Sequence, residues 1–288
     1  MALWGKNSHV MTSERKSKLA GPSPEALFAR NPVLSYETWL SAAGGPSKAS
    51  RVREQAKYYT STGRLRHLAR GVYAVVPPGA DPTTFLPDPY LVAAALRTDA
   101  VLSYHTALDL LGVSRSVFHR YPYFTVRPRR MVRLDSWEWP SVAHPKALVE
   151  KRRTDFGVVM MDRRGTVLRV TGPERTLADG FFALRWVGGL EELVESVAAF
   201  HDLDLDRLDA YLRLLDRAVV DAAVGWFVES HPQVAPQASA FLQRLERRTP
   251  KTAVYLGTRA PGGRMQRRWN LIVPSHLSPD TGFEGGER

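Results

Sequence analysis

Between Ser47 and Gly71 the chain carries seven Lys and Arg residues against one acid, Glu54. Cationic side chains at this density make a surface for phosphate. Arginine adds a fork of donors that fits guanine edges, and a carboxylate among them can accept from a cytosine amine. Lys48, Arg51, Arg53, Glu54, Lys57 and Tyr58 form one run, and Arg64, Arg66 and Arg70 a second. These nine residues are the candidate DNA-binding set. Lys48, at the start of the first run, suits phosphate better than a base edge. A second basic cluster, Arg127, Arg129, Arg130 and Arg133, reads either as an extension of a nucleic-acid footprint or as a solvated turn. Arg175 and Asp179 stand four apart, the spacing of a helical ion pair worth a few tenths of a kcal/mol if exposed. Gly188-Gly189 lacks the Lys-Ser/Thr of a phosphate-binding loop and reads as a turn. The chain has no cysteine, which excludes disulfides and thiolate metal sites, and its eight histidines show no HxxxH or HExxH spacing. A scattered His–carboxylate site stays open, but no catalytic residue, cofactor or metal is expected.

The elements that must position the basic run can be read from its flanks. Ser35 is a plausible N-cap for a short helix, Tyr36 to Ala43, with Trp39 and Leu40 inward. Gly44-Gly45-Pro46 ends it. Ser47 or Ser50 can cap a second helix that runs to about Thr60, with Gly63 as its stop. At 100° per residue Val52, Ala56 and Tyr59 share one stripe, which would pack on Trp39 and Leu40. The opposite face carries Glu54, Lys57 and Tyr58, flanked by Arg51 and Arg53. Arg64 to Leu68 and Val72 to Val76 then read as strands of a hairpin turning at Ala69-Arg70-Gly71. Helix, turn, basic helix and basic hairpin in this order predict a winged helix-turn-helix, its second helix in the major groove and its wing on backbone or minor groove.

Pro77 to Pro82 reads as a linker. Beyond it, helices are expected over Tyr90 to Arg97 and after a Ser103 cap. Strands are expected over Tyr121 to Val126, Val132 to Trp139, Phe156 to Met161 and Thr166 to Val170. Trp137 and Trp139 alternate and should share a core-facing side. From Thr171, a plausible cap, the pattern turns helical: Pro173 to Leu184, Leu190 to Phe200, Asp206 to Leu215, Ala218 to Ser230 and Pro236 to Arg248. A last strand is expected over Trp269 to Val273. The fold class is therefore α+β, an N-terminal winged helix-turn-helix followed by a mixed α/β C-terminal domain with a helical second half. The expected domains are a basic disordered tail at 1–30, the winged helix at 31–80, the α/β domain at 85–273 and a disordered tail at 274–288.

The 288 residues carry a formal net charge of +11, distributed unevenly: +13 over residues 1–170, −7 over 171–230 and +5 over 231–288. A basic first half suits a polyanionic partner, and the acidic middle suits solvent or a basic partner. No apolar run reaches the roughly 18 residues of a membrane span, and residues 1–21 lack the apolar core of a secretion signal. A cytoplasmic protein without membrane contact is expected.

Three segments resemble the AbiEi-family antitoxins of type IV toxin–antitoxin and abortive-infection systems. Gly63-Arg64-Leu65-Arg66-His67-Leu68-Ala69-Arg70-Gly71-Val72-Tyr73 is similar to that family's wing. Leu102-Ser103-Tyr104-His105-Thr106-Ala107-Leu108, followed by Leu111-Gly112-Val113, is similar to its Ser-x-x-x-Ala-x-x-x-x-Gly helix. Leu168 to Asp179 is similar to its strand-to-helix junction, which ends Glu-Arg-Thr-Leu-x-Asp. The resemblance covers about residues 33–230; the tail before it and the segment after it are extensions. It implies a repressor of its own toxin–antitoxin promoter, binding double-stranded DNA at inverted repeats, and an antitoxin that counteracts a nucleotidyltransferase-like toxin. A stable toxin complex is not required. The acidic cluster Glu191, Glu192, Glu195, Asp202, Asp204, Asp206 and Asp209 then reads as solvated helix faces or as a toxin-binding or self-masking surface. Two alternatives stand beside this reading: a winged-helix transcriptional regulator without a toxin partner, and a winged-helix protein with a nuclease-like C-terminal domain. The nuclease would need a strand-borne carboxylate pair that the helical segment after Asp179 lacks.

Overall fold

The computed structural model describes residues 23–258 and 262–277. It is a mixed α+β structure in two compact units. One holds the described residues up to Leu96 together with Arg163–Thr166; the other holds Arg97–Asp162 and the described residues from Val167 onward.

The first unit begins with α1 (Pro24–Arg30), β1 (Val33–Ser35) and α2 (Tyr36–Ala42). A single 3-10 turn over Pro46–Lys48 leads into α3 (Ala49–Ser61), and β2 (Leu65–Ala69) and β3 (Val72–Val75) follow. The strands form one antiparallel sheet in the order β1-β3-β2, with His67 opposite Tyr73 and a register shift between His67 and Ala69. Ser35 caps α2 as expected, its hydroxyl accepting from Thr38 N at 3.0 Å. Neither Ser47 nor Ser50 caps α3, because Lys48 occupies the cap position and offers no side-chain acceptor. Gly63 follows α3 with φ +72°, and a Cβ there would stand 2.8 Å from Pro82 Cγ.

Leu27, Phe28, Leu34, Trp39, Val52, Ala56 and Leu65 form the core of this unit. Phe28 meets Trp39 and Tyr59 edge-on, with centroids 5.3 and 5.0 Å apart. Helix α1 therefore belongs to the folded unit, although residues 1–30 were expected to form a disordered tail; residues 1–22 of that span lie outside the described residues. The expected linker also folds back. Arg66 donates to Phe85 O, and α4 (Pro89–Leu96) packs on β1 and β3. The unit thus extends past the boundary expected near residue 80. Arg163 joins it through Asp88, at 2.6 Å, and through the Tyr90 ring.

The second unit opens with β4 (Val101–Leu102) and α5 (His105–Leu110). Next come β5 (Tyr123–Thr125), β6 (Val132–Leu134), β7 (Trp137–Trp139), β8 (Ser141–Ala143) and α6 (Lys146–Glu150). β9 (Val158–Arg163) and β10 (Thr166–Thr171) complete a five-stranded mixed sheet in the order β8-β5-β4-β10-β9. The single strand expected over Val132 to Trp139 is instead the β6–β7 hairpin, turning at Asp135, whose φ is +52°. Trp139 is buried and Trp137 half-buried, their rings 6.0 Å apart.

The helical half contains α7 (Pro173–Phe182), α8 (Leu190–Val197), α9 (Leu205–Leu215), α10 (Ala218–Ser230) and α11 (Ser239–Glu246). β11 (Val254–Tyr255), β12 (Gly263–Gln266) and β13 (Leu271–Pro274) make a small sheet beside it. Of the tail expected from residue 274, Ser275–Leu277 form a 3-10 turn and residues 278–288 lie outside the described residues. Gly172, not Thr171, caps α7; the Thr171 hydroxyl pairs with that of Thr176 at 2.8 Å. Ser103 does not cap α5, and its buried hydroxyl has no partner among the described residues. Among the described residues no helix is long and apolar enough to cross a membrane.

Candidate nucleic-acid interface

Helix α3 divides its residues as the 3.6-residue period requires. Val52 and Ala56 are buried and Tyr59 half-buried against α1 and α2. Arg51, Arg53, Glu54, Lys57 and Tyr58 are exposed, Tyr58 to 62%. Packing removes one stripe from water and so aims the charged face outward.

That outer face is not one surface. Ser50, Arg53, Glu54, Lys57, Thr60 and Ser61 line an open concavity of about 700 Å³, whose other wall carries His67 of β2 and Tyr73 of β3. The His67 and Tyr73 rings lie 5.4 Å apart. Burial pushes the Tyr73 hydroxyl above its usual pKa, and Tyr36 adds to this, so the phenol is a neutral donor. Arg51 lies elsewhere, beside a small depression formed with Trp39, Ala42 and Gln55. Lys48 is exposed at the start of α3. The structure therefore gathers Arg53, Glu54 and Lys57 around one hollow and sets Arg51 apart.

The hairpin arginines differ in the same way. Arg64 is half-buried: it donates to Val76 O at 2.6 Å, pairs with Glu25 at 3.2 Å and covers the Phe28 ring. Arg66 is held by Phe85 O. Arg70 is exposed beside Gly71, whose φ of +74° turns the hairpin. Composition alone could not separate these three; the signal was Glu25 and Phe28 in α1, 39 and 36 residues earlier in the chain.

In the second unit the Arg175–Asp179 pair forms, but with both side chains fully buried rather than exposed, at 3.1 Å. Arg175 also donates to Thr154 O, Phe156 O and His144 Nδ1, at 2.7, 2.8 and 3.2 Å. Tyr211 donates to the other Asp179 oxygen at 2.5 Å. Burial, with the positive field of Arg175, pushes His144 down to about 4, so its neutral imidazole accepts from the guanidinium. Removing one member of such a buried pair costs about 3–5 kcal/mol, an order of magnitude above the exposed-pair figure. The network ties α7 to α9 and to the backbone before β9. Among the described residues no group of three or more His, Cys, Asp or Glu could hold a metal ion.

No family model matches the chain, and no curated protein matches it. Among solved structures it is similar to the crystal structure of the RV2827C protein from Mycobacterium tuberculosis, with 18% identity and a TM-score of 0.55 over 88% of this chain and 93% of that one. At that identity the likeness concerns the fold.

Proposed function

We propose that this protein is a DNA-binding regulator whose first unit is a winged helix-turn-helix, with α3 as recognition helix and the β2–β3 hairpin as wing. The observation that carries the reading is the hollow between α3 and the hairpin, where Arg53, Glu54 and Lys57 stand exposed on a helix whose opposite stripe is locked into an aromatic core. Long cationic donors on a rigid helix suit base edges and phosphates of a major groove. Arg70 is the wing residue that reaches outward; Arg64 and Arg66 hold the wing in shape. Arg51, Tyr58 and Lys48 flank the contact.

The test is binding to the DNA upstream of the protein's own gene. Arg53→Ala with Lys57→Ala is expected to weaken binding by about 30-fold or more, as the loss of two contacts worth about 1–3 kcal/mol each implies. Thermal unfolding should be unchanged, since both side chains are exposed. Wild-type affinity in the double variant would remove the recognition-helix assignment.

We further propose, on the resemblance of the three segments to AbiEi antitoxins, that the regulated promoter is that of a toxin–antitoxin pair and that the protein counteracts a nucleotidyltransferase-like toxin. The buried setting of Arg175 and Asp179 gives the third of those segments a structural role, so neutralisation would rest on other surfaces of the second unit. Co-expression with a nucleotidyltransferase-like neighbour tests this: rescue of growth is expected, including with the double variant. Failure to rescue leaves the plain regulator.

A further inference from the structure

Several arginines of the second unit are paired with carboxylates of the chain. Arg120 and Arg133 bind Glu138 at 3.2 and 2.9 Å. Arg169 binds Asp155, and Arg213, Arg244 and Arg248 converge on Asp209. Arg268 holds Glu229 and Glu246.

The segment between β5 and β6 departs from this pattern. Arg127, Arg129 and Arg130 are all exposed, and none of their guanidiniums pairs with a carboxylate of the described residues. No acid occurs between Val126 and Leu134.

The backbone that carries them is pinned. Val126 N donates to Asp99 at 2.8 Å, and the Thr125 hydroxyl donates to both oxygens of the same carboxylate, at 2.9 and 2.8 Å. Burial opposes the charge of Asp99, but these hydrogen bonds and Arg97, 3.4 Å away, hold its pKa below the usual carboxylate range. Further on, the Ser141 hydroxyl accepts from Arg129 N at 2.8 Å and donates to Arg129 O at 2.7 Å. One serine thus satisfies both polar backbone groups of the central arginine, and Pro128 fixes a φ beside it. Three cations held on a fixed backbone cost less entropy to align on a ligand than three on a free one.

We propose that the Val126–Met131 loop is a second binding surface on this protein, and that its ligand is the phosphodiester backbone of a nucleic-acid duplex. Guanidinium forks match phosphate oxygens bidentately. A duplex presents phosphates at a density that can engage three arginines within four residues. The contact needs no particular base sequence, because the guanidinium forks grip phosphate oxygens that every duplex presents alike.

The test uses the full chain and a fluorescent random-sequence duplex of about 20 base pairs, titrated at about 50 to 300 mM salt, where each phosphate contact contributes about 0.9 to the log–log slope. Arg127→Gln, Arg129→Gln and Arg130→Gln together are expected to flatten that slope by about 2 to 3 and to weaken binding at least tenfold at the lower salt. Far-UV circular dichroism should not change. Identical slope and affinity in wild type and triple variant would overturn the proposal. So would displacement of the duplex by polyglutamate as effectively as by unlabelled duplex, which would assign the loop to an acidic protein surface. The α3 reading is separable. A wild-type chain that binds no duplex sinks both, whereas binding that Arg53→Ala with Lys57→Ala weakens and the loop triple leaves intact sinks this inference alone.

Discussion

His144 shows how a single side chain reports on its surroundings. Its ring stacks on Phe124, with centroids 4.9 Å apart, and its Nδ1 takes a hydrogen bond from Arg175. The hydrogen bond from Arg175 needs the neutral imidazole, and burial beside a guanidinium pushes its pKa down to about 4. The folded value lies below the unfolded one. As pH falls below about 6.5 the unfolded chain therefore takes up a proton that the folded chain refuses, and stability falls toward pH 4. Between pH 7.5 and 5 this residue alone should remove about 2 kcal/mol. His144→Gln keeps an acceptor for Arg175 but cannot titrate. Urea unfolding of the variant should lose about 2 kcal/mol less than wild type over that interval; an equal loss would show that His144 is not held neutral. None of this was legible in the sequence. Arg175 and Asp179 are a visible i, i+4 pair, but nothing in their spacing distinguishes a buried pair from an exposed one, and His144 lies 31 residues away.

At the scale of elements, periodicity was readable where elements are long. The stripe Val52, Ala56 and Tyr59 faces the core as read, and the helix over Ala218–Ser230 has the bounds its sequence suggests. Strands of two or three residues, such as β1, β4 and β8, are too short to show an alternation, and they take their place from partners distant in sequence. A chain reader also cannot see where a helix touches its neighbour. Gly225 lies inside α10, where alanine ordinarily stabilises by about 1 kcal/mol. Here a Cβ would stand 2.2 Å from the Trp269 ring. That indole is itself buried, and its Nε1 donates to Glu229 at 2.6 Å. Gly225→Ala should therefore destabilise, by about 1–3 kcal/mol, as overpacked cores do. Equilibrium unfolding followed by tryptophan fluorescence measures it, and a gain in stability would mean that Trp269 yields freely.

The whole molecule accounts for its uneven charge. The acidic stretch at 171–230 does not simply face water. Asp209 takes Arg213, Arg244 and Arg248 at 3.0, 3.1 and 2.6 Å, and Glu191 meets His276 at 3.1 Å. Part of its charge is thus met by Arg244 and Arg248 of the basic segment that follows. Among the described residues no carboxylate pairs with Arg51, Arg53 or Lys57 of α3. The division near residue 96 was hidden because the Pro-rich stretch after β3 looks like a linker, while the contact that folds it back, Arg66 to Phe85 O, comes from the preceding hairpin. The central claim is that this first unit reads duplex DNA through α3 and the β2–β3 hairpin. Hydroxyl-radical footprinting of the DNA upstream of its gene tests it most directly. The account predicts protection at two inverted half-sites whose centres lie about 10 base pairs apart or a multiple of that, lost in the Arg53→Ala, Lys57→Ala variant. Protection that persists unchanged in that variant, or no protection by the wild-type protein, would contradict it.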